Sequence, residues 1–246
     1  MAPPDARLSD CVLGGYSVML TERRPDWARA KLPDRIVSRS RCLGQDVSDV
    51  WLDAYRERDG DMETVYAQAQ ARFGLDRTAV DKLCRWYQDG QEIEFDVFTE
   101  LPPAQVIVRD FLAGRSDVAI IGIGLPRVYV QEFLAGGPPQ PEPAGFVDSF
   151  NPVMEVVKRD VPLASGGTVL GFELLVDNSG LSCSWLCNGI DRVAEEKPGI
   201  ETNAVGLIES LDEAARVVTH IREDGHAEPG LWLPWLIVRY ERTLAG

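Results

Sequence analysis

The sequence predicts a mixed α+β fold, and three observations carry this prediction. Residues 47–90 repeat apolar side chains at helical spacing, with helix start and stop signals at both ends of each repeat. The run "DVAIIGIG" at 117–124 is continuously apolar, which is typical of a strand buried on both faces. After residue 146, strand and turn patterns dominate, with one well-capped helix among them.

The first elements are a strand and three helices. "CVLGGYSVML" at 11–20 predicts a strand, and the basic stretch that follows it is loop-like. Helices are expected over about 47–58, from Asp61 to Gly74 and from Asp76 to Gly90, because Asp favours the N-cap and Gly the position just past the end. The first helix has its apolar stripe at Val47, Val50, Trp51, Ala54 and Tyr55.

A small βαβ unit is expected next. "QEIEFDVFTE" at 91–100 alternates apolar and acidic residues, which predicts one half-buried strand. A helix at 102–114, the buried strand at 117–124 and a short helix ending at Gly136 follow closely. This order predicts a parallel pair of strands joined by a helix.

The stretch "GGPPQPEPAG" at 136–145 divides the chain. It predicts an N-terminal α/β domain at 1–136, a linker or loop at 137–145 and a C-terminal α+β domain at 146–246. In the second half we expect a strand within 151–163, a hairpin around "DNSG", and a helix capped by Ser210 and Glu213. Pro234 predicts that the last strand lies at an edge or carries a bulge.

Charge gives the strongest constraint on partners. The chain has 39 Asp plus Glu against 25 Lys plus Arg, a net charge of −14. A field of that sign repels nucleic acid and anionic membranes and attracts basic proteins or peptides. The apolar runs are far shorter than the roughly 20 residues of a membrane span. Scattered cysteines and the lack of a signal-peptide pattern at the N-terminus favour a cytoplasmic protein.

The motif search predicts no metal and no cofactor. On a strand, Cys183 and Cys187 would lie roughly 13 Å apart, too far to form a disulfide or share a zinc ion. We therefore expect core cysteines, with a reactive thiol as the alternative. Gly122 and Gly124 give part of a dinucleotide-binding turn, but Arg127 stands near the place of its third glycine.

Two surfaces are candidates for binding a partner. Glu92, Glu94 and Asp96 would project from one face of the strand at 91–100, and Trp232 and Trp235 form an aromatic C-terminal segment. The sequence therefore favours an acidic module that binds a basic protein or peptide, of the kind found among immunity proteins and biosynthetic accessory proteins.

A small cytosolic enzyme with a site assembled from dispersed residues is the alternative. The residues to test for it are Asp177, Cys183, Cys187 and His220. The sequence leaves open whether the chain has catalytic activity and what its oligomeric state is.

Overall fold

The computed structural model describes residues 7–21, 33, 35–40, 45–57, 60–89, 93–94, 97–136, 150–178, 181–186, 201–224 and 230–242. Its helices, after a short 3-10 turn at Leu8–Asp10, are α1 Ser48–Arg56, α2 Met62–Phe73, α3 Arg77–Gln88, α4 Leu101–Phe111, α5 Arg127–Gly136, α6 Phe150–Arg159 and α7 Leu211–Asp224. Its strands are β1 Cys11–Leu20, β2 Ile93–Glu94, β3 Val97–Phe98, β4 Val118–Pro126, β5 Thr168–Asn178, β6 Leu181–Ser184 and β7 Leu233–Tyr240. The mixed α+β prediction is confirmed.

These strands form one seven-stranded sheet in the order β2-β3-β1-β4-β7-β5-β6. Every described pair of neighbouring strands is antiparallel. The sheet joins the two halves of the chain, because β4 pairs with β7 along Gly124↔Leu236 to Ile120↔Tyr240. The predicted boundary at 137–145 therefore does not divide the sheet, and residues 137–145 themselves lie outside the described part.

The predicted βαβ unit is present in a split form. Strand β3, helix α4 and strand β4 follow one another, and β3 and β4 run in the same direction because each is antiparallel to β1. However, β1 lies between them. The expectation that the two parallel strands are hydrogen-bonded neighbours is wrong, since the N-terminal strand takes the central place.

Two apolar clusters lie on the two faces of this sheet, as the alternation of strand side chains requires. The first packs β-strand residues such as Ile120 and Leu236 against α1–α4 and α7. The second packs Ile121, Trp235 and their neighbours against α5 and α6. The sheet is therefore covered by helices on both faces, and the continuous apolar run of β4 is explained.

Helix punctuation agrees with the sequence prediction. The Asp61 and Asp76 side chains accept hydrogen bonds from the backbone N–H groups of Thr64 and Ala79 at the starts of α2 and α3. Gly74 ends α2 in the left-handed region at a φ of 72°, which costs glycine no steric strain. Ser210 accepts from the Glu213 N–H at 3.2 Å at the start of α7, which is one half of the predicted capping box, and the Glu213 carboxylate accepts from the Glu201 N–H. These caps are local, and local signals predicted them.

Three predicted strand assignments need correction. Residues 91–100 do not form one strand, because β2 and β3 pair with each other through Ile93↔Phe98 and Glu94↔Val97. The predicted strand within 151–163 is wrong over 151–159, which belong to helix α6, where Val153, Val156 and Val157 form a buried helical stripe. Their spacing is helical although valine favours strands.

The third correction concerns β7, which lies between β4 and β5 rather than at an edge, and the irregularity in its pairing with β5 falls between Val169 and Gly171 rather than at Pro234. Pro234 pairs with Leu174 of β5, but the pairing of β7 with β4 begins only at Leu236. At Pro234 the strand therefore has one described neighbour, which is the environment that a proline tolerates because it has no N–H to donate.

Candidate functional site

Of the residues predicted from sequence as a docking surface, Trp232 and Trp235 have described side chains. Glu92 and Asp96 lie outside the described residues, and Glu94 is described only through its backbone pairing in β2. Trp232 and Trp235 are 2% and 5% exposed. Both tryptophans therefore belong to the core. This corrects the prediction that they form a C-terminal surface for binding a partner.

Of the residues considered for catalysis, Cys183 and His220 have described side chains. Cys183 is buried, and His220 is half-buried on α7. Asp177 is described only through its backbone pairing with Ser182, and Cys187 lies outside the described residues. Cys11, Cys84 and Cys183 are free thiols. In the described part of the chain, no group of three or more His, Cys, Asp or Glu side chains could hold a metal ion.

The partial dinucleotide motif has a packing explanation. Gly122 and Gly124 both lie within β4, not in a turn. A Cβ on Gly122 would lie 2.7 Å from the Tyr240 ring and 3.2 Å from the Tyr16 ring. The two rings meet edge to face at 5.3 Å between centroids. Glycine is thus needed where two tyrosines cross the strand.

A concave surface lies between α1 and α3. We call it the aromatic pocket; it encloses about 540 Å³ and is lined by Trp51, Ala54, Tyr55, Met62, Asp81, Cys84, Arg85 and Gln88. Trp51 stacks on Tyr87 at 5.4 Å and packs against Tyr55 at 6.0 Å between ring centroids. Tyr55 is 54% exposed. The pocket therefore offers aromatic surface to a ligand.

Polar groups surround these rings. The Tyr66 hydroxyl donates to the Asp81 carboxylate at 2.8 Å, and Arg85 donates to the Asp81 carbonyl oxygen at 3.3 Å. Burial, with a smaller contribution from Asp81, raises the pKa of the Cys84 thiol to about 11. Cys84 is therefore protonated at neutral pH, and the pocket lacks an activated thiolate.

A second concave surface lies against α1 and α2. This acidic pocket encloses about 360 Å³ and is lined by Asp53, Arg56, Glu57, Asp61, Thr64, Val65 and Gln68. Hydrogen bonds from the Thr64 hydroxyl and backbone hold the pKa of Asp61 below its ordinary value. Asp61 is thus an anion at neutral pH, and three carboxylates line this pocket.

Buried polar residues form a third cluster, which the sequence did not predict. We call Ser38, Arg39, Asp46, Glu173 and Ser184 the buried polar network; each is at most 3% exposed. Glu173 accepts from the Ser38 hydroxyl and, at 2.7 Å, from the Arg39 backbone N–H. Burial raises the pKa of Glu173, and hydrogen bonds from Arg39, Ser38 and Ser184 oppose that rise.

The network continues from Arg39 to helix α1. The Arg39 guanidinium lies 3.0 Å from the Asp46 carboxylate, with side-chain exposures of 1% and 4%. Asp46 in turn accepts from the Ser48 N–H at 2.8 Å, at the first residue of α1. The Glu173 carboxylate is fully enclosed by protein and is not accessible from solvent.

Part of this arrangement was visible in the sequence. Trp51 and Tyr55 were placed on the apolar stripe of α1, and the structure shows that the stripe runs on from the core to an exposed edge. The stretch 22–41 predicts a basic loop, yet residues 36–40 within it are buried. The partner of Ser38 is 135 positions away at Glu173, and no local pattern reports such a contact.

Comparison with known proteins adds no family. The chain matches no protein-family model, no curated protein and no solved structure. Within the described residues, none of the helices is both long and apolar enough to cross a membrane.

Proposed function

We propose that the chain is a binding module that engages a basic protein or peptide through the surface formed by α1, α2 and α3. The observation that carries this proposal is the aromatic pocket, where the rings of Trp51 and Tyr55 lie beside the exposed carboxylate of Asp81. Aromatic faces attract Lys and Arg side chains through their negative electrostatic potential. A carboxylate next to them adds charge complementarity.

The acidic pocket supports the same kind of partner. Of its carboxylates, Asp53 lies on α1 with Trp51 and Tyr55, Glu57 directly follows that helix, and Asp61 caps α2. A partner with several basic side chains would meet both pockets along α1. The net charge of −14 would also draw such a partner in from solution.

The protonation of Cys84 and the enclosure of Glu173 favour binding over catalysis. The only thiol lining the aromatic pocket, Cys84, is held protonated by burial. The buried Glu173 has a raised pKa, a property often found in catalytic carboxyls, but it is enclosed by protein. A cytoplasmic immunity protein or accessory protein that holds a basic partner is consistent with these features.

The proposal is tested with a defined basic probe. Fluorescein-labelled nona-arginine is titrated with the protein by fluorescence polarisation, and labelled nona-glutamate serves as the negative probe. Tyr55→Ala should weaken nona-arginine binding by roughly twofold to fivefold, the range expected for one exposed cation–π contact. Asp81→Asn should weaken it further, and should reduce the salt dependence of binding.

A matched control separates site binding from the general field of the protein. Glu132 is exposed on α5, a helix that packs on the opposite face of the sheet. Glu132→Gln removes the same charge as Asp81→Asn and should leave the affinity unchanged. Equal losses for Asp81→Asn and Glu132→Gln, with no loss for Tyr55→Ala, would show that the peptide senses only net charge and would contradict the proposal.

A further inference from the structure

We propose that the buried polar network positions helix α1, so that Ser38, Glu173, Arg39 and Asp46 together set the shape of the aromatic pocket. The inference concerns the same surface as the proposed function, and its importance for binding rests on that function. It is drawn from a separate set of contacts, however, and none of these residues lines the aromatic pocket.

The first step is the attachment of the segment 36–40 to the sheet. These five residues are buried although they belong to no helix or strand. Glu173 holds them through the Ser38 hydroxyl and the Arg39 N–H, and the Ser40 N–H donates to the Ser38 oxygen at 3.1 Å. One further backbone bond, from the Val37 N–H to the Val205 carbonyl, fixes the same segment at 3.0 Å.

The attached segment 36–40 is linked in turn to the residues that begin α1. Val37 packs in the cluster with α5 and α6, whereas Val47 packs in the cluster with α1–α4. The chain therefore changes faces between these two residues. The Arg39–Asp46 ion pair lies just before this change, because Asp46 pairs with Met19 of the α5–α6 cluster, and it is buried at both ends. It ties the segment held by Glu173 to the residues that begin α1.

The third step is the start of the helix. Asp46 bonds the Ser48 N–H, and the Leu20 and Val47 N–H groups bond the carbonyls of Gln45 and Val18, which hold this stretch against β1. Asp46 thus forms a local side-chain turn directly before Val47, the N-cap of α1.

The last step runs from the helix start to the pocket. Trp51 lies three residues after the first residue of α1, and Tyr55 follows one turn later. A change of tilt at the start of so short a helix moves both side chains relative to α3, which contributes Asp81, Cys84 and Arg85 to the opposite wall. A rigid start to α1 therefore keeps the pocket open in one shape.

Cys84 provides a readout of the pocket that does not depend on any partner. Its half-buried thiol lines the aromatic pocket, whereas Cys11 and Cys183 are buried in the core. The rates at which iodoacetamide labels these three thiols can be measured one by one by mass spectrometry of the digested protein. Loosening of α1 should raise the rate at Cys84 alone, while global unfolding should raise all three.

The test compares two network variants with a matched control. Asp46→Asn removes the charge that faces Arg39, and Ser38→Ala removes one hydroxyl that donates to Glu173. Ser17→Ala is the control, because Ser17 is also buried but its hydroxyl has no hydrogen-bond partner among the described residues. We expect Cys84 labelling to rise at least threefold in Asp46→Asn and about twofold in Ser38→Ala, with no change in Ser17→Ala.

The outcomes separate this inference from the proposed function. Ser38→Ala, the milder change, decides the matter if Asp46→Asn does not fold. Unchanged Cys84 labelling in the folded network variants would overturn the inference, and so would a rise shared equally with Cys11 and Cys183. If labelling responds as expected but nona-arginine does not bind the unmodified protein, the network positions α1 and the proposed function is wrong.

Discussion

The buried ion pair between Arg39 and Asp46 gives the sharpest energetic prediction. Arg39→Met keeps a long side chain of similar shape but leaves the Asp46 carboxylate enclosed without its cation. Removing one member of a buried pair costs about 3 to 5 kcal/mol, because an uncompensated charge stays inside the protein. The Ser48 N–H still bonds Asp46 at 2.8 Å. We therefore expect a loss of about 3 kcal/mol of unfolding free energy, near the lower end of that range.

The loss is measured by urea denaturation followed by circular dichroism, with the slope m checked for constancy. Arg77→Met is the control, because the Arg77–Glu63 pair is 59% and 72% exposed and should contribute little. The double variant Arg39→Met with Asp46→Leu should regain most of the loss, since no charge is then left buried. A loss below about 1 kcal/mol for Arg39→Met would refute the reasoning, because such a value is typical of solvent-exposed pairs.

Three further predictions concern other parts of the molecule. Burial raises the pKa of Glu173 in the folded state, so the stability that its protonated form contributes is present below the unfolded pKa and is lost as pH rises through the folded pKa. The unmodified protein should therefore lose unfolding free energy relative to Glu173→Gln as the pH rises. A difference between the two proteins that stays constant with pH in urea titrations would contradict this. Gly122→Ala should destabilise the fold by about 1 to 3 kcal/mol, since its Cβ would meet the Tyr240 ring at 2.7 Å; an unchanged melting temperature would show that the rings move aside freely. Thiol counting in denaturant without reductant should find five free cysteines. Cys11, Cys84 and Cys183 are free in the structure, and the prediction extends this state to Cys42 and Cys187. A count below five would reveal a disulfide.

The parts of the fold that the sequence predicted are those with local signals. Asp61, Asp76 and Gly74 sit at helix ends because their own side chains or backbone freedom satisfy the neighbouring N–H and C=O groups. The continuous apolar run of β4 was predicted as a buried strand because both of its faces are covered. Each of these features depends on residues within one or two turns of the chain.

The failures have longer-range causes. Strands β2 and β3 have only two residues each, and the alternation of apolar and acidic residues continues across both. The pattern therefore predicted one strand where the structure has a pair. The insertion of β1 between β3 and β4 depends on pairings of Tyr16 with both Phe98 and Gly122. Nothing near residues 97–126 reports that an N-terminal strand occupies this place, and the βαβ pattern alone predicts adjacent strands.

In the candidate site, too, the sequence predicted local features but not tertiary contacts. The aromatic residues of α1 were visible as part of a stripe, but the pocket also needs α3 to pack beside them, and that depends on Trp51 stacking against Tyr87. The buried polar network was hidden because Ser38 and Glu173 look like ordinary polar residues of a loop and a strand. Only the tertiary structure encloses them.

Hydrogen exchange of the protein with and without nona-arginine tests the central claim most directly, because it locates the bound peptide on the chain. We predict slower exchange in the peptides that cover 48–57 and 77–89, which include both walls of the aromatic pocket, and no change over α5. Protection confined to α5, or spread evenly over all acidic segments, would contradict the assignment of the α1–α3 surface as the binding site for a basic partner.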